Sequence, residues 1–447
     1  MHDITVKNSH DGRAGANSPH DCELLLLDAD NIGDLRGQLA LLAELSSDLP
    51  VVGLPNLAAT LQQGLAGRRV RAAVLATSGE QAAQRFERLL ATLDSGARAA
   101  IDVAGGIFVG EVAAAPGIGF LFPGQGSGKN HDGGALARRF ETVRDLYQTA
   151  ALPSSDDPTA TETAQPRITI SSVAGLRALS LLGIEATAAV GHSLGELTAL
   201  HWAGAMTEEE LFALAAERGR VMAQASEGGG AMAGISAGPE EVGLLLDGEP
   251  VVIAGYNGPA QTVVSGPAEA VERVRGAAAE RGLRTARVRV SHAFHSPAVA
   301  PAAAKLDTYL ASRRFQPAAR RVISTLTGDV LPAESDLREL LVRQVCEPVR
   351  FSQALRRLAP DVNLLIEVGP GRVLSGLAAK ITPEIPVIPL KTDGSSLAGA
   401  FSAVAAAYVL GVQVRHDLVL ADGSRRHQVS VPVEPAGLAN NGAGSRP

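Results

Sequence analysis

The chain has 447 residues, 46% of them hydrophobic, and a formal net charge of −7. Such a length supplies buried core for roughly two to four structural units, while 3% aromatic residues and no basic run exclude nucleic acid as a partner. No run of about 18 apolar residues and no apolar leader occurs, so neither a membrane span nor secretion is expected. Cys22 and Cys346 fit no metal or redox spacing, and the cytoplasm is the expected compartment.

Residues 1–20 are polar with scattered Gly, Asn and His, the composition of a disordered leader. A small α/β unit follows over 21–116. Its strands are the run LLLLDA after Cys22 and Val70–Ala76, and its helices are residues 33–48, Leu57–Gly64 and Gln81–Leu93. Gly117–Phe122 reads as a strand entering Pro123-Gly124-Gln125-Gly126-Ser127-Gly128, which lacks the lysine and spacing of a phosphate loop. It is expected to arch along a cleft with the Gln125 amide free to point inward. Residues 150–165, rich in Ser, Thr, Asp and Pro, read as a loop, and 167–182 as a helix.

The stretch Glu185–Ala205 organises the rest. An apolar strand ends at Val190, glycines stand at 191 and 195, and a helix begins once Ser193 is passed. That is a nucleophile elbow, which lifts a serine hydroxyl off the sheet edge and places a helix N-terminus behind it. In a chain with 48 glycines a G-x-S-x-G match should arise by chance roughly 0.3 times, and a second one occurs around Ser236. Pro239 delays the next helix past Ser236, which leaves that serine in a loop.

Thr207-Glu208-Glu209-Glu210 caps a helix to Ala225 that carries Arg218 and Arg220. Residues 229–236, 239–246, 250–256, 261–265, 267–281 and 284–290 then alternate as βαββαβ, a ferredoxin-like order inserted in a larger domain. After Ser291-His292-Ala293-Phe294-His295, a helix over 298–310, a strand near Val322, helices 335–345 and 352–358 and a strand at Asn363–Val368 complete that domain. Past Lys391 a helix at 396–409 precedes a hairpin-like stretch, Leu418–Val431, and a flexible tail. Spacing alone leaves His192, His292 and His295 open as the base that would activate Ser193, and leaves Arg218 as readily a solvated helix position as a ligand.

Five segments in order settle more than any one of them: FPGQGS at 122–127, GHSLGE at 191–196, HAFHS at 292–296, VRQ at 342–344 with PVRF at 348–351, and EVGPGRVL at 367–374. Together they resemble the acyltransferase domains of type I polyketide synthases, the iterative enediyne type among them, and the related malonyl-CoA:acyl-carrier-protein transacylases. The resemblance implies an α/β-hydrolase-like core of parallel sheet and elbow over 117–228 and 296–391, with the ferredoxin-like insertion over 229–295. It makes 21–116 resemble the linker from ketosynthase to acyltransferase, and 392–447 a segment that wraps back and ends in the flexible tail.

The resemblance further implies Ser193 as nucleophile and His295 as its base, oriented by the backbone carbonyl of Gln344 in place of an acidic third member. It implies oxyanion donors in the N–H groups of Gln125 and Leu194, and Arg218 as the grip on the free carboxylate of malonyl-CoA. Phe294 and His192 join Arg218 as substrate-contacting residues, Phe294 as the bulky group that favours malonyl over methylmalonyl. No metal and no permanent cofactor is expected. Malonyl-CoA is the donor, the phosphopantetheine of an acyl carrier protein the acceptor, and a ketosynthase domain the neighbour. Gly128-Lys129-Asn130-His131-Asp132 departs from the resemblance and alters the cleft entrance. The rival readings are a serine hydrolase or editing thioesterase, which shares Ser193 and His295 but has no use for Arg218, and a non-catalytic docking domain.

Overall fold

A computed structural model describes residues 21–50, 53–128, 132–150, 157, 159–225, 229–290 and 292–420. The expected leader, the altered entrance at 129–131 and the tail lie outside the described residues. The chain opens with β1 (Glu23–Ala29), α1 (Ile32–Ser47), α2 (Gly53–Gln63), β2 (Val70–Ala76), α3 (Gly79–Asp94), β3 (Ala100–Asp102) and β4 (Ile107–Glu111). Asn31 and Ser78 cap α1 and α3, their side chains accepting from the backbone N–H of Asp34 and Gln81. The strands pair antiparallel in the order β1-β2-β4-β3. β3 and β4 add a hairpin that the periodicity did not reveal, because three residues are too few to show a period.

The second sheet is parallel throughout, β11-β6-β5-β12-β13, built from β5 (Ile118–Phe122), β6 (Ala188–Gly191), β11 (Arg321–Ile323), β12 (Leu364–Glu367) and β13 (Val387–Pro389). Its three central strands, β6, β5 and β12, are buried along their whole length, as parallel sheets covered on both faces are. Between β5 and β6 run α4 (Gly134–Arg139), α5 (Glu141–Thr149) and α6 (Thr161–Leu181). The loop expected to reach residue 165 therefore ends earlier. Pro166 stands inside the helix as its sixth residue, where it forfeits one backbone bond to the Glu162 carbonyl, and only its composition made the segment read as loop.

After β6 come α7 (Gly195–Trp202) and α8 (Glu208–Gln224), the latter opened by a complete capping box between Thr207 and Glu210. Then follow β7 (Gly230–Ile235), α9 (Pro239–Gly243), β8 (Val252–Gly258), β9 (Gln261–Pro267), α10 (Ala268–Glu280) and β10 (Thr285–Arg287), an antiparallel sheet ordered β10-β7-β9-β8. The βαββαβ alternation is present, and Ser236 lies exposed between β7 and α9 as expected. The chain returns through α11 (Ala300–Leu310), β11, α12 (Leu337–Cys346), α13 (Phe351–Leu358), β12, α14 (Val373–Ile381) and β13, and closes with α15 (Ala398–Val409) and α16 (Asp417–Leu420). Where a hairpin was expected from Leu418, α16 is a single helical turn; 421–431 lie outside the described residues.

α15 packs on the first sheet. The buried Arg71 guanidinium of β2 donates to Tyr408 O at 3.1 Å and lies 4.8 Å from the Tyr408 ring, and Tyr408 Oη donates to Leu27 O at 3.2 Å. A methyl group on Gly110 would stand 2.6 Å from Val409 O, so this close approach requires glycine. Among the described residues no helix is long and apolar enough to cross a membrane.

Candidate active site

β6 delivers Gly191 to the edge of the parallel sheet, and α7 begins four residues later at Gly195. The turn is tight: a Cβ on Gly191 would meet the backbone N of Glu196 at 2.3 Å, and one on Gly195 would meet Phe122 O at 2.1 Å. Ser193 itself is held at φ 52°, a left-handed conformation that costs a non-glycine residue about 1–3 kcal/mol and persists because the surrounding backbone dictates it. His295, also at a positive φ of 57°, comes from the loop after β10. Although 102 residues apart, Ser193 Oγ and His295 Nε2 are 2.8 Å apart.

The carboxyl end of α12 holds the imidazole. Val345 O accepts from the His295 backbone N–H at 3.2 Å, and Glu347 O accepts from Nδ1–H at 2.9 Å. A carbonyl can only accept, so Nδ1 carries the proton and Nε2 is left as the acceptor facing the serine hydroxyl. The Nδ1 partner is thus the carbonyl of Glu347, not of Gln344 as expected; the Gln344 carbonyl lends a weaker contact from the same helix end. The last turn of a helix leaves several carbonyls unpaired, so position along the chain does not single one out. Burial, then the fields of Arg218 and His192, hold the His295 imidazole down from 6.5 to about 3, against the upward pull of the Glu347 and Gln344 carbonyls.

The sign of that shift has a kinetic consequence. A depressed value keeps the base neutral as pH falls, so kcat/KM for acylation of Ser193 should stay level from pH 8 to about 5.5 instead of halving near the ordinary imidazole value. A pH–rate profile checks this, and a midpoint at 6.5 contradicts it. Linkage runs the same way: the unfolded imidazole takes its proton first, so its stability contribution is complete above 6.5 and is lost as pH falls toward 3.

Arg218, on α8, is 2% exposed. Its Nη1 donates to Gln165 Oε1 at 2.9 Å, and Nη2 reaches Gln344 Oε1 at 3.3 Å and Ser193 Oγ at 3.5 Å. Arg220, two residues on, faces away and pairs with Glu217 at 2.6 Å in solvent. Spacing could not tell the two apart; burial does. The Gln125 side chain is not free as expected, because Oε1 accepts from Gln165 Nε2 at 3.3 Å and Nε2 donates to Thr161 Oγ1 at 3.0 Å. The backbone N–H groups of Gln125 and Leu194 have no partner among the described residues.

His192 is tied to the antiparallel sheet through Asn257 Oδ1, 2.9 Å from Nε2, and burial lowers its pKa. Phe294 is buried and stacked on His292 at 5.2 Å, while His292 Nε2–H donates to Ala223 O at 3.1 Å. The Nε2 atoms of His192 and His292 therefore have other partners, and His295 alone of the three presents Nε2 to the serine. Sequence reasoning missed Glu347, which acts through a carbonyl common to all residues, and Gln165 and Thr161, hidden in the segment read as loop. It also missed Asn257 and Glu196, which lack any distinctive spacing. No cluster of potential metal ligands exists among the described residues.

The dyad, two unpaired N–H groups and a buried guanidinium can together acylate a serine with an acid-bearing acyl group. The acyl transferase domain family matches residues 119–383. Over 358 residues the chain is 34% identical to polyketide synthase GfsB of Streptomyces halstedii, which covers 74% of this chain and 6% of that synthase. Over 292 residues it is 35% identical to the malonyl CoA-acyl carrier protein transacylase of Bacillus subtilis (strain 168), covering 61% of this chain and 92% of that enzyme. Among solved structures, the acyltransferase domain of the iterative polyketide synthase in enediyne biosynthesis is similar at TM-score 0.75 and 34% identity, over 88% of this chain and 97% of that one. The chain spans a small part of the synthase and nearly all of the transacylase, and it belongs to the acyl transferase domain family.

Proposed function

We propose that the chain moves malonyl from coenzyme A to the phosphopantetheine thiol of an acyl carrier protein in polyketide assembly, through an ester on Ser193. The observation that carries this reading is the convergence on one hydroxyl of His295 Nε2 at 2.8 Å and Arg218 Nη2 at 3.5 Å. Ser193 Oγ attacks the thioester carbon as its proton passes to Nε2, and the N–H groups of Gln125 and Leu194 receive the oxyanion, each worth about 3 kcal/mol. Collapse expels the coenzyme A thiolate, which recovers the proton from His295. The carrier thiol then gives a proton to Nε2, attacks the ester carbon and restores the serine.

Arg218 binds the malonyl carboxylate through two parallel hydrogen bonds, and its burial strengthens them. Phe294 and His192 complete the substrate contacts. The parallel sheet and elbow form an α/β-hydrolase-like core over 117–228 and 296–391 that carries a ferredoxin-like unit over 229–295. Residues 21–116 and 392–447 are flanking linkers, and a ketosynthase is the neighbouring domain. Intact-mass measurement after incubation with malonyl-, methylmalonyl- and acetyl-CoA, followed by addition of a carrier protein, tests the proposal. Malonyl on the protein and then on the carrier supports it; free malonate alone signals a hydrolase, and no acylation a docking domain.

Phe294→Ser is expected to admit methylmalonyl-CoA, since one methyl group is worth about 1–3 kcal/mol of discrimination. The ratio of the two kcat/KM values checks this, and an unchanged ratio removes Phe294 from substrate selection.

A further inference from the structure

Glu196 has no part in the chemistry above, yet it sits in the first turn of α7 with 0% exposure. A second fully buried carboxylate, Glu367, is explained locally: it accepts from the backbone N–H of Leu374 and Ser375 and from Ser375 Oγ at the start of α14. Glu196 points instead toward the substrate machinery. Its Oε2 accepts from Gln344 Nε2 at 2.8 Å and lies 3.1 Å from Thr325 Oγ1, whose one proton is shared with Gly191 O at 2.8 Å. The same Gln344 Nε2 donates to Ser193 O at 3.1 Å, and Gln344 Oε1 accepts from Arg218 Nη2.

An amide has one donor end and one acceptor end; here the donor end faces the Glu196 carboxylate, whose pKa burial raises against the downward pull of its hydrogen bonds, and the acceptor end faces the Arg218 guanidinium. Reversed, the NH2 group would meet the guanidinium and the oxygen would meet the carboxylate, both repulsive. Glu196 therefore fixes which way the Gln344 amide lies, and that amide fixes one end of Arg218. The remaining partners of Arg218, Gln165 and Ser193, are neutral, and Glu196 is the carboxylate whose field acts on it. We propose that Glu196 is a positioning residue for substrate recognition: through the Gln344 amide its carboxylate holds the Arg218 guanidinium beside the Ser193 hydroxyl, ready for an acyl carboxylate. The proposal rests on the reading of Arg218 as the malonyl grip.

Glu196→Gln tests it, because the charge goes while the shape stays and the Gln344 amide loses its single orientation. Two acyl donors are compared: malonyl-CoA, and p-nitrophenyl acetate, whose acyl group carries no free carboxylate for Arg218 to hold. The expected result is about a tenfold fall in kcat/KM for malonyl-CoA, carried by KM, as for coupled neighbours in one network, with the ester reaction within about twofold. Equal losses with both donors, or none with malonyl-CoA, overturn the proposal. Should Glu196→Gln melt below the assay temperature, Gln344→Met carries the test: it breaks the bridge with Glu196 in place and should lower the malonyl-to-ester ratio likewise, and an unchanged ratio overturns the idea. An unaltered chain that takes no malonyl refutes the proposed function; one that takes malonyl while the variants keep its ratio refutes only the role of Glu196.

Discussion

Ser193→Ala is expected to take up no malonyl at all, and His295→Ala to acylate about 10³–10⁴-fold more slowly than the unaltered chain. The first removes the hydroxyl that both Nε2 and Arg218 reach; the second leaves that hydroxyl without an acceptor at 2.8 Å. What survives in His295→Ala reflects the N–H groups of Gln125 and Leu194 and the guanidinium, which still bind donor and oxyanion. Mass measured against time after mixing with malonyl-CoA separates the cases. A Ser193→Ala chain that still gained malonyl would place the nucleophile elsewhere. A His295→Ala chain at full rate would mean that the serine is activated by another group.

Arg218→Ala is expected to lower kcat/KM for malonyl-CoA by about 2–5 kcal/mol, roughly 30- to 5000-fold, the cost of leaving a desolvated charge without its hydrogen-bonded partner. Arg218→Lys should not restore it. A lysine presents a point charge in place of the planar fork, and the oxygens of Gln165 and Gln344 are set for a fork, at 2.9 and 3.3 Å from separate guanidinium nitrogens. Acylation by acetyl-CoA, which has no free carboxylate, should hold steady or rise relative to malonyl-CoA. Single-turnover rates with both donors decide the matter, and an equal loss with each would show a site that had merely come apart.

Much of this site was legible because its parts announce themselves locally. Two glycines flanking a serine between strand and helix describe a turn that little else can make, and the capping box at Thr207 places the helix of Arg218. The expected α/β fold with a parallel sheet is present, since strands buried on both faces leave continuous apolar runs. Contacts made by generic atoms were illegible. The carbonyl on His295 Nδ1 belongs to Glu347, and nothing in a side chain marks which of several free carbonyls at a helix end will be used. The Thr161 and Gln165 contacts were lost because Ser, Thr and Pro around them imitate a loop. The resemblance to acyltransferase domains, not the spacing, distinguished Arg218 from Arg220, whose surroundings in the fold are opposite.

The seat of α15 on the first sheet also governs how this protein can be cut. Arg71 and Gly110, near one end of the described chain, are matched to Tyr408 and Val409 near the other, so the acyl transferase body between them is fastened like a clasped bracelet. Trimming either flank alone would part the Arg71 guanidinium from the Tyr408 carbonyl and bare a slab of oily surface. Expression boundaries that retain both flanks are the ones this architecture recommends, because α15 shares its core with Phe120, Ile366 and Ile388 of the parallel sheet as well.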